Sequence, residues 1–240
     1  MAAWFSSLFS GNRKRCIAPL TRQQLRILDE WQRLPQPDLG LLHHHCRYVI
    51  VDVETSGLDM KKDRLISIGA VALNQGRIDF ADTFQVILRQ DQVSSNENIL
   101  IHGIGGSTQS SGVEPADALL RFLQFIGKAQ LVAYHAFFDQ AMIDKAMIEY
   151  LGLRLGQSWI DLAWVLPDLF QYRNDNRVAL DDWLQFFAIE NHQRHNAVFD
   201  AYATAKLMQV AIAQAARKGA RSPDSFIKIE KARRWMFECR

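Results

Sequence analysis

The sequence predicts an α/β fold in which a mixed five-stranded sheet is flanked by helices. Three β-branched runs, at 47–54, 65–74 and 77–88, are separated by Gly-containing turns and read as hairpin-connected strands. Two shorter apolar runs, at 130–134 and 158–161, alternate with helical patterns, as parallel strands reached through crossover helices do. Hydrophobic residues make up 48% of the 240, enough to fill the core between such layers.

The elements follow in chain order. Residues 1–45 form an N-terminal helical extension. It carries the basic cluster Asn12-Arg-Lys-Arg15 and an amphipathic helix from Thr21 to Leu34 that displays Leu25, Leu28 and Trp31 and is ended by Pro35 and Pro37. Residues 46–220 hold the sheet and its helices, expected at 115–127, 139–151, 180–188 and 197–218. In the helix at 139–151, Met142, Ile143, Ala146, Met147 and Tyr150 keep helical spacing. Asp161 is expected to end its strand and cap the next helix, and Asp181 and Asp182 to sit in a first turn, where the helix dipole favours acids. Residues 221–240 read as a basic C-terminal helix with Lys228, Lys231, Arg233, Arg234 and Arg240, expected to be a solvated face rather than a nucleic-acid contact. Hairpin-connected strands followed by alternating helices and strands is the ribonuclease H-like arrangement.

Within this frame the acids stand out. Asp52 and Glu54 close the run Tyr48-Val-Ile-Val-Asp-Val-Glu-Thr-Ser-Gly57, and residues two apart on a strand point to one side. Two carboxylates that close repel each other, and a cation relieves the repulsion. Hard oxygen ligands favour Mg²⁺ or Mn²⁺. The plain alternative is an edge strand with two solvated acids. Asp139 ends Leu131-Val-Ala-Tyr-His-Ala-Phe-Phe-Asp139 at or near a helix start, where an Asp also serves as a cap. Asp200 lies in the first turn of the helix at 197–218. His195 lies five residues earlier, ~140° away on an ideal helix, so it belongs to the preceding loop, curled over the same site.

Together these stretches resemble the DnaQ-like (DEDDh) 3′–5′ exonucleases, the family of the epsilon proofreading subunits of bacterial DNA polymerase III, ribonuclease T and oligoribonuclease. The matching segments, in the family's order across about residues 47–215, are Val51-Asp-Val-Glu-Thr-Ser-Gly-Leu58, Leu65-Ile-Ser-Ile-Gly-Ala-Val71, Ile101-His-Gly-Ile104, Val132-Ala-Tyr-His-Ala-Phe-Phe-Asp139 and His195-Asn-Ala-Val-Phe-Asp-Ala201. The epsilon-like branch looks nearest. One departure is Tyr134-His135, where the family usually has His-Asn.

The resemblance implies hydrolysis of a phosphodiester with two Mg²⁺, replaceable by Mn²⁺, ~3.5–4 Å apart on either side of the phosphate. Asp52 would bridge the ions, Glu54 and Asp200 would complete the shell on the attacking side, and Asp139 would serve the second ion. His195 would take the proton of the attacking water, a task suited to an imidazole. The product would be a nucleoside 5′-monophosphate. Thr55, Ser56 and Gly57, at the end of the first strand, would hold the terminal nucleotide, although a plain turn uses the same residues. His102, on a Gly-rich loop, would meet the terminal sugar or base, with a plain exposed loop His as the alternative.

The expected substrate is the 3′ end of single-stranded DNA, by likeness to the epsilon branch. A 3′–5′ exoribonuclease of the ribonuclease T or oligoribonuclease type is the alternative. A non-catalytic nucleic-acid-binding adaptor would have lost an acid, and none is missing. Phe137 and Phe138 are candidates for stacking on terminal bases, or for the core. Association with a polymerase or sliding clamp enters through Gln24-Leu-Arg-Ile-Leu28, which loosely resembles clamp-binding peptides but is expected to pack on the body. A net charge of +2 does not by itself argue for nucleic acid. Three cysteines (Cys16, Cys46, Cys239) without Cys-x-x-Cys spacing argue against structural zinc and for a reducing compartment. With no apolar run of membrane-spanning length and no basic region before the opening segment, the sequence predicts a cytoplasmic protein.

Overall fold

The computed structural model describes residues 17–171 and 178–238. The basic cluster at 12–15, Cys16, Cys239 and Arg240 lie outside the described residues. Five strands, β1 (Arg47–Thr55), β2 (Leu65–Asn74), β3 (Arg77–Ile87), β4 (Gln130–Ala133) and β5 (Trp159–Asp161), form one mixed sheet in the order β3-β2-β1-β4-β5. β1 pairs antiparallel with β2, as a hairpin dictates, and parallel with β4, as a crossover dictates. The predicted fold class is the observed one.

Strand alternation divides the core in two. Val49, Val51 and Val53 face the layer of α1 (Arg22–Gln32), α4 (Pro115–Ile126) and α5 (Ala136–Leu151). Tyr48 and Ile50 face the opposite layer of α6 (Leu162–Phe170), α7 (Leu180–Phe186), α8 (Ala197–Arg217) and α9 (Pro223–Glu238). Asp52 and Glu54 continue the Tyr48–Ile50 row, so both project on the α8 side at the carboxyl end of β1.

α8 can lie close to this sheet because of one glycine. Gly69 pairs with Asp52 across β1 and β2, and a Cβ added there would meet the backbone carbonyl carbon of Ala197 at 2.3 Å. The missing side chain lets the first turn of α8, with Asp200, approach Asp52. We expect Gly69→Ala to cost about 3 kcal/mol, the upper end for overpacking, because rigid backbone has to yield. Urea unfolding measures this loss, and an unchanged midpoint would contradict the close approach.

Several elements differ from the sequence expectation. α5 begins three residues before Asp139, with His135 as N-cap at φ 62°. Two short helices, α2 (Asn96–His102) and α3 (Gly106–Ser110), occupy a stretch read as Gly-rich loop, since their few apolar residues give no periodic signal. The N-terminal helix packs as expected. Leu28 and Trp31 are buried, the Trp31 indole donates to Gly127 O at 2.8 Å, and Gln24 closes a capping box with Thr21 and donates to Asp117. The C-terminal helix is not a plain solvated face. Phe226 and Arg233 are buried and Arg234 turns inward, while Lys228 and Lys231 stay exposed. Among the described residues no helix is long and apolar enough to cross a membrane.

Candidate functional site

One carboxylate oxygen from each of Asp52, Glu54 and Asp200 lies within 4.8 Å of the others. β1 supplies the first two and the first turn of α8 the third. Asp139, buried in the first turn of α5, belongs to the same electrostatic group, for its charge acts on Asp52. The structure thus brings three of the acids singled out in the sequence within 4.8 Å, with the charge of Asp139 felt at Asp52.

These acids are held against their ionic preferences. Burial, followed by the charges of Asp139, Asp200 and Glu54, pushes the Asp52 carboxyl well above the usual range. Burial and then the charge of Asp200 raise Glu54 to about 7. Asp139 is also raised well above its usual value by burial, which outweighs hydrogen bonds from its own N–H and that of Val53. A set of hard oxygen donors whose mutual repulsion Arg194 only partly offsets fits a divalent cation.

The pH dependence follows from these shifts. Between 4.5, the ordinary value of a Glu, and about 7, the folded chain keeps the Glu54 proton that the unfolded chain has lost. The folded state then binds more protons, so stability falls as pH rises through that window. Glu54 alone accounts for about 3 kcal/mol, with Asp52 and Asp139 acting in the same direction. The melting temperature of chelator-treated protein should therefore drop between about pH 5 and 7.5, and Mn²⁺ should restore it. A flat profile, or one rising with pH, would contradict the clustering.

His195 sits on the loop before α8, exposed, at φ 60°. Its backbone N–H donates to Asp200 Oδ2 at 3.0 Å, so the loop is tied to the cluster. Asn196 caps α8 through its side chain on the N–H of Val198. Two neighbours the sequence reading missed, Arg194 and Asn191, donate side-chain hydrogen bonds to Asp200 Oδ1. The density of polar residues in 190–196 was the one signal for them, and it does not say which way each side chain turns.

The turn after β1 is largely self-satisfied. Thr55 Oγ1 donates to Gly57 O at 2.6 Å, Ser56 Oγ donates to Asp63 and accepts from Arg64 N–H, and the Ser56 N–H donates to Arg64 O. Gly57 makes room for the Asp63 carboxylate, which a Cβ would meet at 2.5 Å. Asn98 of α2 donates to Ser56 O, and Lys145 of α5 holds the carbonyls of Met60, Lys61 and Asp63. The Ser56 hydroxyl, a candidate for holding the nucleotide, fixes the turn in this structure. His102 lies not on a loop but at the end of α2, where it is buried, accepts from Ile104 N–H at Nδ1, and has Nε2 beside Ser94 Oγ.

The remaining polar landmarks are structural. Asp161 caps α6 through Ala163 N–H, accepts from His135 N–H, and pairs with Arg234 at 3.0 Å. Tyr134, the departure from the family pattern, packs against the α8-side core and donates to Val178 O. Phe138 packs on the core, whereas Phe137, two residues before Asp139 on α5, is 65% exposed.

Fold and sequence together define the class. Residues 49–208 match the exonuclease family RNase_T, and the chain belongs to that family. It is 32% identical over 160 residues to the PolC-type DNA polymerase III of Caldanaerobacter subterraneus subsp. tengcongensis, covering 67% of this chain and 11% of that one. The PolC-type polymerase of Bacillus subtilis is 26% identical over 215 residues, covering 90% of this chain and 15% of that one. The chain therefore spans only about a tenth to a seventh of these relatives. The fold is shared with E. coli exonuclease I, crystallised with a dT13 oligonucleotide (TM-score 0.60, 17% identity, 72% of this chain and 42% of that one). It is also shared with exonuclease X in complex with 5′ overhanging duplex DNA (TM-score 0.58, 19% identity, 75% of this chain and 99% of that one).

Proposed function

We propose that this chain is a metal-dependent 3′–5′ exonuclease that releases nucleoside 5′-monophosphates from the 3′ ends of single-stranded DNA. The observation that carries the reading is the convergence of Asp52, Glu54 and Asp200 within 4.8 Å, joined electrostatically by Asp139. Divalent ions bound there would neutralise charge on the transferring phosphate and make water a better nucleophile. Asp52, Glu54 and Asp200 would hold the ion on the attacking side, Asp52 would also face the second, and Asp139 would serve that one directly or through water. His195, on its loop beside Asp200, would take the proton of the attacking water at an imidazole nitrogen. Exposed Phe137 would stack on a base near the 3′ end without sequence preference.

DNA is favoured because the curated relatives are named DNA polymerases and the fold neighbours were crystallised with DNA. The polymerase names also support work beside a polymerase. The Gln24–Leu28 segment is a poor clamp peptide, since Leu28 is fully buried. Turnover on DNA and RNA oligonucleotides of equal sequence tests the substrate class. An excess on DNA is expected, and a clear excess on RNA would replace the substrate while keeping the chemistry.

A further inference from the structure

Asp200 is the most heavily engaged of the acids. Its Oδ1 accepts from Arg194 and Asn191, and its Oδ2 from the His195 N–H, leaving about one of a carboxylate's four acceptor positions. Arg194 has a second carboxylate within reach. Its Nε lies 2.7 Å from Asp181 Oδ1, and its Nη2 donates to Asp181 Oδ2 at 3.3 Å. That seat is imperfect, because Nε has no aligned acceptor while the guanidinium also serves Asp200. The Arg194 side chain is 32% exposed and can turn toward Asp181 with its own charge still paired, whereas Asp200, 5% exposed, then needs another cation.

We propose that Arg194 sets the affinity of the acidic cluster for divalent metal: it holds Asp200 as an internal counter-cation and hands that carboxylate over when the ion binds, keeping Asp181 as its partner. The inference rests on the reading of Asp52, Glu54 and Asp200 as metal ligands. The Arg194 charge already opposes the upward shifts of Asp52 and Glu54, the service an ion would perform more strongly. Because His195 follows Arg194 directly, its N–H holds Asp200, and its backbone sits at φ 60°, withdrawal of Arg194 is felt at the proposed base. The competing arrangement is an arginine that permanently orients a ligand carboxylate. The two roles predict opposite signs, since loss of an orienting partner weakens metal binding by 10–100-fold as an order of magnitude.

The test is calorimetric titration of Mn²⁺ into the chelator-treated full chain, as wild type, Arg194→Met and Asp200→Asn. Arg194→Met should bind about 10- to 100-fold more tightly than wild type, the worth of one charge-assisted hydrogen bond. Asp200→Asn should bind far more weakly than either. Equal or weaker binding by Arg194→Met, with wild type binding normally, overturns the role of Arg194 and leaves the metal site standing. If neither binds Mn²⁺, the metal reading falls with it. A crystal of the wild type grown with Mn²⁺ needs no variant: Arg194 should contact Asp181 and no longer Asp200, and an Arg194–Asp200 pair persisting beside a bound ion would overturn the proposal.

Discussion

Asp52→Asn is expected to lower turnover by about 10³-fold or more, since several kcal/mol of charge stabilisation at the phosphate depend on this ligand. Its effect on stability should have the opposite sign. The Asp52 carboxyl is raised by burial and by three acidic neighbours, so replacing it with a neutral isostere relieves repulsion. At about pH 7.5 the chelator-treated variant should therefore melt above chelator-treated wild type, and Mn²⁺ should stabilise it less. A site residue that merely supported the fold would lose activity and stability together. Asp200→Asn should lose activity to a similar degree without the gain in stability, because its carboxylate anchors Asn191, Arg194 and the His195 N–H. Activity assays beside melting curves separate these cases, and full turnover by either variant would end the metal assignment.

His195→Ala is expected to reduce turnover by about 10²–10⁴-fold, the usual range for loss of a general base. The side chain is exposed, and the loop is tied to Asp200 through backbone, which the substitution keeps. Stability and Mn²⁺ affinity should accordingly stay near wild type. Single-turnover rates on a short DNA, measured with metal affinity, check this. A rate within a few-fold of wild type would move the base elsewhere, and a parallel loss of Mn²⁺ binding would make His195 a structural tie of the loop.

The legible part of this molecule is the part written in periodicity. The β-branched run at 47–54 announced β1, and its period of two placed Asp52 and Glu54 on one side, where they are found. The apolar spacing of 197–218 announced α8 and put Asp200 in its first turn. What stayed hidden depended on side-chain direction within short polar segments. Ser56 and Thr55 carry the composition of a nucleotide-binding turn, yet their hydroxyls close the turn itself. His102 reads as a residue of a Gly-rich loop because α2 is too short to show a period, and the helix buries it. Arg194 carries no signature beyond the polar density of its segment: its importance comes from standing between Asp181 and Asp200, two acids 19 residues apart on different helices. Gly69 sits inside a strand, where a glycine weakens the sheet, and the approach of α8 explains it.

The central claim is stepwise removal of nucleotides from the 3′ end at this acidic cluster. The most direct measurement follows a single-stranded DNA labelled at its 5′ end, incubated with the full chain and Mg²⁺ or Mn²⁺ and resolved by length over time. A ladder of progressively shorter labelled products is expected, with nucleoside 5′-monophosphates released alongside and no shortening with chelator or with Asp52→Asn. Immediate release of the label as a mononucleotide, or shortening that persists in chelator, would contradict it.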